Sequence, residues 1–181
     1  MKHVFIKSIF GPIRLDFDGD SLLRVMQVSR KGVSDTIDPD VLTPVIQCIE
    51  GKRDGLEIPV RFEGTPFQIK VWEAMRQIPR GEVVSYSELA KRAGNMRATR
   101  AVASACSQNP CVVVVPCHRI IRRDRGLGGF AWGIPLKRSL LIREGVRPQP
   151  HFTASSTERR TETRAYETES DAEEVGQRDA A

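Results

Sequence analysis

The chain has 181 residues with 40% hydrophobic content, which is enough for one large domain or two small domains with a buried core. Lys and Arg outnumber Asp and Glu by 28 to 23, and the excess lies in residues 1–150, whose 24 basic and 15 acidic side chains favour an anionic partner such as nucleic acid. The sequence has no run of about 18 apolar residues and no signal-peptide pattern, so it predicts a cytoplasmic protein without a membrane span.

Residues 4–28 predict a small antiparallel sheet, because short apolar runs are separated there by turn signals. The expected turns are the GP pair at 11–12 and the DGD triplet at 18–20. A short helix is predicted over residues 39–50, where apolar positions suit helical spacing and Gly51 can close the last turn.

The stretch TPFQIKVWEAMRQIPRG, residues 65–81, predicts a helix with a full N-terminal signature. Thr65 is the expected N-cap, Pro66 fits the first helical position, and Gln68 completes a capping box. Apolar residues then recur at helical spacing until the closing PRG stops the helix. Trp72 belongs to this apolar face, so we expect it in the core and not at a cofactor.

Two shorter helices are predicted within SYSELAKRAGNMRATRAVASACSQNP, residues 85–110. Ser85 or Ser87 can cap the first helix, and Gly94 can end it in a left-handed conformation. In the second helix a narrow stripe of small apolar residues can pack closely on a neighbour: Ala98, Ala101, Val102 and Ala105. This outline fits a helix-turn-helix, but any pair of short packed helices shares it.

The remaining elements are a strand, a loop and a last helix. Residues 111–116 (CVVVVP) predict a buried strand, and RRDRGLGGFAWG at 122–133 predicts a loop. Pro135 opens a helix that Gly145 ends, with a buried face of Leu136, Leu140 and Leu141. From residue 151 large apolar residues are almost absent, which predicts a disordered tail.

Cys117 is the candidate nucleophile, because it follows the buried run and directly precedes His118. A nucleophilic thiol needs its pKa lowered by positive surroundings or a base that takes its proton. His118 is the only histidine between His3 and His151, and Glu144 is a candidate to orient it. Neighbours on a strand point to opposite faces, so either the backbone bends here or a water joins the two groups. An inert core cysteine is the alternative.

The other cysteines give no sign of a disulfide or a metal. Cys48, Cys106 and Cys111 form no CxxC pair with each other or with Cys117, so all four are predicted to be free thiols. Basic residues instead surround the cysteine: residues 91–125 hold eight Lys and Arg and one acidic residue, Asp124. This run is either a solvated face or an anion-binding surface that overlaps the nucleophile.

Six blocks in order carry a family resemblance: GTPFQIKVW, IPRGEVVSYSELA, AGNMRATRAVASACSQNP, VVPCHRI, GGFAWG and LLIREG. At these spacings the chain resembles the O6-alkylguanine-DNA alkyltransferases, also called methylated-DNA–protein-cysteine methyltransferases. The match is close over residues 65–146 and looser over residues 1–60.

The resemblance implies an α/β fold with two domains. A small ribonuclease-H-like sheet domain would span residues 1–60 and a winged helix-turn-helix domain residues 61–148, while the disordered tail predicted from composition, residues 149–181, has no counterpart in the family pattern. Members bind double-stranded DNA in the minor groove, flip O6-alkylguanine out of the duplex and transfer its alkyl group irreversibly to cysteine in one turnover. The protein would act as a monomer. It would need no cofactor, because damaged DNA is itself the alkyl donor.

The resemblance also implies roles for single residues. Cys117 would accept the alkyl group, His118 would draw its proton through water, and Glu144 would orient His118. Tyr86 would hydrogen-bond the base and Asn109 would brace the active-site turn. The residues assigned to DNA are Ser85, Arg97, Ala98, Thr99, Arg100 and Arg119, with Arg100 as the finger that fills the vacated stack. The residues assigned to the substrate pocket are Ile120, Phe130, Ala131 and Trp132, with backbone carbonyls of Cys117 and Ile120 reading the guanine amino group.

The chain departs from the family pattern at two points. Some members have a serine where this chain has Ala131, so only a backbone amide could bind the guanine oxygen there. Some relatives bind zinc through N-terminal cysteines and histidines, but only His3 and Cys48 precede the core here, so no metal is predicted.

Two other functions are compatible with parts of the sequence. An alkyltransferase-like protein would recognise the lesion without chemistry, but such proteins replace the acceptor cysteine that is present here as Cys117. A transcriptional regulator would use the helix-turn-helix alone and leave Cys117 unchanged.

Overall fold

A computed structural model describes residues 1–30 and 32–146. The elements within these ranges are β1 (Lys2–Ser8), β2 (Gly11–Asp18), β3 (Ser21–Gln27), α1 (Pro39–Ile49), α2 (Pro66–Arg76), β4 (Val84–Ser85), α3 (Tyr86–Arg92), α4 (Thr99–Ser107), a 3-10 turn (Cys117–Arg119), β5 (Ile120–Ile121) and α5 (Ile134–Arg143). None of these helices is long and apolar enough to cross a membrane. The predicted tail, residues 149–181, lies outside the described residues.

The predicted antiparallel sheet is confirmed, with the strand order β1-β2-β3. Alternate side chains of the central strand point into the core, so Ile13, Leu15 and Phe17 are fully buried. The mixed fold of a small antiparallel sheet with helices therefore agrees with the predicted α/β class.

The first turn of the sheet lies earlier than predicted. Gly11 and Pro12 already pair with β1, and the chain reverses at residues 9–10. The Ser8 hydroxyl closes this turn, because it accepts a hydrogen bond from the Phe10 amide at 3.0 Å and donates one to the Gly11 carbonyl at 2.8 Å.

The outer edge of β3 is covered by backbone from later in the chain. The Leu22 amide donates to the Pro59 carbonyl at 2.8 Å, and the Val25 amide donates to the Pro110 carbonyl at 2.9 Å. One hydrophobic core consequently runs from the sheet into the helical part. Covering the edge also removes a row of free backbone groups that could pair with another chain.

The predicted capping box of α2 is confirmed. The Gln68 amide donates to the Thr65 hydroxyl, and the Thr65 amide donates to the Gln68 side chain at 2.8 Å. Trp72 is buried as predicted, and its Nε1 donates to the Ala105 carbonyl at 2.8 Å. This bond joins α2 to α4 within the core.

The stripe predicted for α4 is partly wrong. Val102 and Ala105 are buried, but Ala101 is exposed and Cys106 takes the inward position instead. Val102 shares one face with Ala105 and Cys106, which follow it by three and four residues, and Ala101 lies outside this buried set.

The predicted strand at residues 111–116 is wrong. Val113 has a positive φ of 77°, and the Val115 amide donates to the Cys111 carbonyl at 2.7 Å, so the chain forms a tight turn there. The four valines are buried as expected, but the turn buries them without a ladder of strand hydrogen bonds. An apolar run predicts that its residues are buried, but it does not distinguish a strand from a buried turn.

Two short parallel strands place the candidate site. β4 pairs with β5, with Val84 opposite Ile120 and Ser85 opposite Ile121. Since the strands are parallel, α3, which follows β4, and the loop that follows β5 begin at the same end of this sheet. The 3-10 turn with Cys117 enters β5 from the opposite end.

Candidate active site

Asn109 braces the backbone that presents Cys117. Its Nδ2 donates to the Val115 carbonyl at 2.8 Å, and its Oδ1 accepts from the Cys111 amide at 3.0 Å. One buried side chain thereby closes both ends of the turn at residues 111–115. The bracing geometry expected for Asn109 is present.

The Cys117 thiol is nearly enclosed, with 5% of the residue exposed. Burial raises the pKa of this thiol, while a hydrogen bond with the Asn109 side chain and the charge of Lys137 act in the opposite direction. Burial is the larger effect, so the resting group is a thiol and not the thiolate that nucleophilic attack requires. A reaction at this sulfur therefore needs a base that removes the proton as the new bond forms.

His118 is fully buried and joined to Glu144. Its Nε2 lies 2.9 Å from Glu144 Oε1, and its Nδ1 is a buried atom without a hydrogen-bond partner. Burial lowers the pKa of His118, although the bond with Glu144 opposes that effect, so the ring is neutral near pH 7. With Nε2 donating its proton to the carboxylate, Nδ1 holds a free lone pair and can accept a proton.

The backbone bends between Cys117 and His118, which is one of the two arrangements that the sequence left open. Both residues lie in the 3-10 turn Cys117–Arg119, so their side chains do not alternate as on a strand. Glu144 occupies the C-cap of α5 and faces this turn. Burial alone would raise the pKa of Glu144, but hydrogen bonds from His118 and Arg119 outweigh it and lower the pKa to about 2. Glu144 is therefore a carboxylate at neutral pH.

Arg119 is not available to DNA, which corrects the prediction. Its side chain is buried, and Nε and Nη2 hold both oxygens of Glu144 at 2.9 and 2.8 Å. Nη1 donates to the Ile78 carbonyl at 2.5 Å, and Nη2 also reaches Asp54 at 2.6 Å. Arg119 thus fixes the carboxylate that binds His118. The family resemblance assigned Arg119 to DNA, and its position in the basic run of residues 91–125 gave no sign that it is buried.

Lys137 is a site residue that the sequence analysis missed. It is fully buried, and its Nζ donates to the carbonyls of Ile120, Leu127 and Gly129 at 2.5, 2.5 and 3.3 Å. Burial lowers its pKa to about 8. A signal was present, since Lys137 precedes Leu140 by three residues and so lies on the buried face of α5. By contrast, Leu136 is only partly buried.

This lysine changes the expectation for Ile120. The Ile120 carbonyl, which the family resemblance assigned to the guanine amino group, accepts a hydrogen bond from Lys137. A carbonyl has two lone pairs, so a second donor can still bind it. Lys137 also ties the Ile120 strand to the returning loop at Leu127, which fixes the wall of the site.

Tyr86 is the first residue of α3 and contacts the loop after β5. A Cβ atom on Gly128 would lie 3.0 Å from the Tyr86 hydroxyl, and Gly128 has a φ of 68°, so glycine suits this position on both counts. Burial raises the pKa of Tyr86 to about 12, which keeps the hydroxyl protonated and able to donate. Ser85 caps the same helix, because its hydroxyl accepts from the Glu88 amide at 3.1 Å.

The aromatic residues predicted for the pocket lie beside His118. The Phe130 ring meets the His118 ring edge-on at 6.4 Å, and Trp132 lies 6.5 Å from Phe130 and 5.9 Å from Phe10, which lies in the turn between β1 and β2. Ala131 lies between these two aromatics in sequence and is exposed. Phe130 and Trp132 thus border the site, while Ala131 lies on the surface of that loop.

The predicted DNA residues other than Arg119 gather at α3 and α4. Arg97 and Arg100 are exposed, and Ala98 is the N-cap of α4, which begins at Thr99. Within the described ranges neither arginine forms an ion pair with a carboxylate, and no group of three metal-ligating side chains comes together. α3 and α4 are two short helices that pack against each other.

Comparisons with known proteins give one consistent result. The model of the 6-O-methylguanine DNA methyltransferase DNA-binding domain matches residues 66–146. The chain is 43% identical over 154 residues to a methylated-DNA–protein-cysteine methyltransferase of Methanosarcina acetivorans, covering 80% of this chain and 99% of that protein. It is 46% identical over 100 residues to the bifunctional transcriptional activator/DNA repair enzyme Ada of Escherichia coli, covering 55% of this chain.

The chain spans only part of some of these relatives. It covers 28% of Ada and 60% of the inducible methylated-DNA–protein-cysteine methyltransferase of Bacillus subtilis. Among solved structures, Mycobacterium tuberculosis OGT in complex with DNA is similar with a TM-score of 0.69 and 33% sequence identity, over 80% of this chain and 92% of that chain.

Proposed function

The chain belongs to the family of methylated-DNA–protein-cysteine methyltransferases, and we propose that it repairs DNA by moving the alkyl group of O6-alkylguanine irreversibly onto its own Cys117. The observation that carries this proposal is the buried, unpartnered Nδ1 of His118, next in sequence to a buried thiol and fixed by Glu144. A neutral imidazole held in this way is a base with one vacant acceptor.

The proposed step is a displacement at the alkyl carbon. The Cys117 sulfur forms a bond to that carbon as the bond from carbon to guanine O6 breaks, and the thiol proton passes through water to His118 Nδ1. Glu144 stabilises the resulting imidazolium, and Tyr86 donates to the guanine as it leaves with the electron pair. The thioether is stable, so each molecule acts once, and no cofactor takes part.

We further propose how the chain is divided and how it meets DNA. Residues 1–60 would form a ribonuclease-H-like domain and residues 61–148 a winged helix-turn-helix domain that binds the minor groove of double-stranded DNA as a monomer. The packed pair of α3 and α4, with Arg97 and Arg100 exposed, supports this arrangement. Arg100 would fill the stack left by the flipped base, and Phe130 and Trp132 would wall the pocket.

The decisive experiment is mass spectrometry of the intact protein and its peptides after incubation with an O6-methylguanine duplex. We expect one added methyl group per molecule, located on Cys117 and absent in Cys117→Ser. Cys106→Ser is the matched control, because it alters another buried thiol and should still gain the methyl group on Cys117. Protein that stays unmodified with excess damaged DNA would refute the proposal.

A further inference from the structure

The carboxylate that holds His118 belongs to a longer series of hydrogen bonds, which reaches the N-terminal part of the chain. Asp54 Oδ1 accepts from Arg119 Nη2 at 2.6 Å, and the same nitrogen donates to Glu144 Oε1 at 2.8 Å. Glu144 Oε1 is also the oxygen that lies 2.9 Å from His118 Nε2. We call these four residues, Asp54, Arg119, Glu144 and His118, the Asp54 network.

The charges of the Asp54 network do not balance while His118 is neutral. Two carboxylates pair with one guanidinium, so the network has one negative charge in excess. A proton on His118 supplies the missing positive charge. Without Asp54, the other carboxylate and the guanidinium would already balance, and a protonated His118 would leave an uncompensated positive charge in a buried site.

The charge of Arg119 by itself acts against the base. Burial lowers the pKa of His118, the Glu144 carboxylate raises it, and the positive charges of Arg119 and Lys137 lower it further. Within the part of the chain that the structure describes, Asp54 is the carboxylate besides Glu144 that pairs with Arg119. Asp54 therefore offsets part of the guanidinium charge that opposes protonation of the imidazole.

The backbone around Asp54 is fixed by contacts that do not involve the network. Arg76 Nη2 donates to the carbonyls of Gly55 and Ile58 at 3.2 and 2.7 Å. Gly55 packs so closely against the carbonyl of Val114 that a Cβ atom there would clash with it, and Val114 lies in the turn that leads to the nucleophile. The segment that carries Asp54 is thus held directly against the site.

We propose that Asp54 is a positioning residue of the transfer reaction, which acts through Arg119 to make His118 a stronger base. The proposal rests on the proposed function, since it concerns the base of that reaction. Asp54 does not touch the reacting atoms and takes no part in the bond-forming step. It holds the guanidinium against Glu144 and offsets its charge, so that the imidazolium formed on removal of the Cys117 proton is more stable.

The test is the pH dependence of Cys117 alkylation by free O6-benzylguanine, a reaction that needs no DNA. Asp54→Asn keeps the shape of the side chain and removes its charge. Neutral His118 is the active form, so the rate falls at acid pH as the ring takes up a proton. The Asp54 side chain is 39% exposed, so water screens its charge and the effect is modest. We expect the acidic limb of Asp54→Asn to move to lower pH by about half a pH unit, and the rate on the plateau to fall roughly two- to threefold.

Two other variants separate this role from a merely structural one. Glu57→Gln is the matched control, because it removes a carboxylate from the same segment with the same change in net charge, and Glu57 is 81% exposed. Its acidic limb should coincide with that of the parent. Asp54→Glu keeps the charge and should restore the limb. A slower Asp54→Asn whose limb has not moved would overturn the proposal, since loss of packing alone lowers the rate without changing the basicity of His118.

An NMR titration of the His118 ring in the resting protein tests the same coupling without any transfer. His118→Gln identifies its signal among those of the three histidines of the chain. The pKa of His118 should be lower in Asp54→Asn than in the parent, and equal values would overturn the proposal. If Cys117 of the parent gained no alkyl group, the proposed function would be wrong, and the titration would still decide whether Asp54 acts on His118.

Discussion

At the scale of single residues, burial decides what Cys117 and His118 can do. A buried thiol holds its proton and a buried imidazole stays neutral, so both groups start uncharged. They become charged only when the imidazole takes the thiol proton. The sequence predicted both residues and their partner Glu144, because they stand in recognisable motifs. It could not predict the direction of their pKa shifts, since these depend on segments distant in sequence.

Two charged residues, Arg119, which was assigned to DNA, and Lys137, which was not assigned a role, lie in the interior of the protein. Arg119 and Lys137 look like surface residues in the sequence, yet both are buried and donate to carboxylate or carbonyl oxygens. A buried cation is tolerated only when such acceptors surround it. The acceptors of Arg119 are the Asp54 and Glu144 carboxylates and the Ile78 carbonyl, which lie far from Arg119 in the sequence. No local pattern around Arg119 reports where these acceptors lie.

Glu144 should make the stability of the protein depend on acid. Its pKa is lowered from 4.5 to about 2, so its stabilising contribution is complete above pH 4.5 and is lost as the pH falls towards 2. We expect the unfolding free energy of the parent, relative to Glu144→Gln, to fall by about 3 kcal/mol over this range. Urea unfolding at a series of pH values measures it.

The control for this prediction is Glu57→Gln, because the Glu57 carboxylate is 81% exposed and pairs with Arg53 at the surface. Surface pairs contribute little to stability, so this variant should follow the parent at every pH. If the curve of Glu144→Gln also runs parallel to that of the parent, the carboxylate does not stabilise the fold through its buried bonds.

At the scale of elements, local signals predicted the helices better than the strands. α2 begins where its capping box predicts, because Thr65, Pro66 and Gln68 satisfy the helix start without help from the rest of the fold. The CVVVVP run was predicted as a strand, but Asn109 closes it into a turn through bonds to Val115 and Cys111. That side chain lies outside the run, so the run itself carried no sign of the turn.

Helix α5 contributes two groups to the site from one face. Lys137 and Glu144 are seven residues apart, which is two helical turns or about 10 Å. Lys137 holds the strand and loop beyond Cys117, and Glu144 holds His118. The position of this helix therefore sets both the wall of the site and the orientation of the base.

The start of α4 should matter only when a base has to leave a duplex. We expect Arg100→Ala to slow transfer from O6-methylguanine in duplex DNA by roughly 10- to 100-fold, the equivalent of the few kcal/mol that unstacking costs, and to leave transfer from free O6-benzylguanine unchanged. Timed mass spectrometry of Cys117 with each substrate measures both rates. Lys70→Ala on α2 is the control for loss of an exposed helical charge. Equal losses on the two substrates would show that Arg100 is not the finger.

At the scale of the whole molecule, the described core closes before the predicted tail. Val146 packs on the cluster of Leu127 and Leu141, and its amide donates to the Leu141 carbonyl at 3.0 Å. Truncation after Pro150 should therefore leave both the urea midpoint and the rate of Cys117 methylation unchanged. Truncation after Gly145 is the informative comparison, since it removes Val146 and should lower stability by about 1–2 kcal/mol. A loss of transfer in the protein truncated after Pro150 would mean that the tail takes part.

Arg119 has a consequence for how far the two halves of the chain can be separated. Its guanidinium holds Asp54 from the N-terminal part together with Glu144, and the Pro110 carbonyl holds β3 against the turn that presents Cys117. A fragment starting near residue 61 would keep every residue of the proposed chemistry, yet it would lose the counter-charge at Asp54 and the sheet that covers this turn. We therefore expect residues 61–146 to need the N-terminal part as an internal scaffold, although none of its own side chains takes part in the proposed reaction.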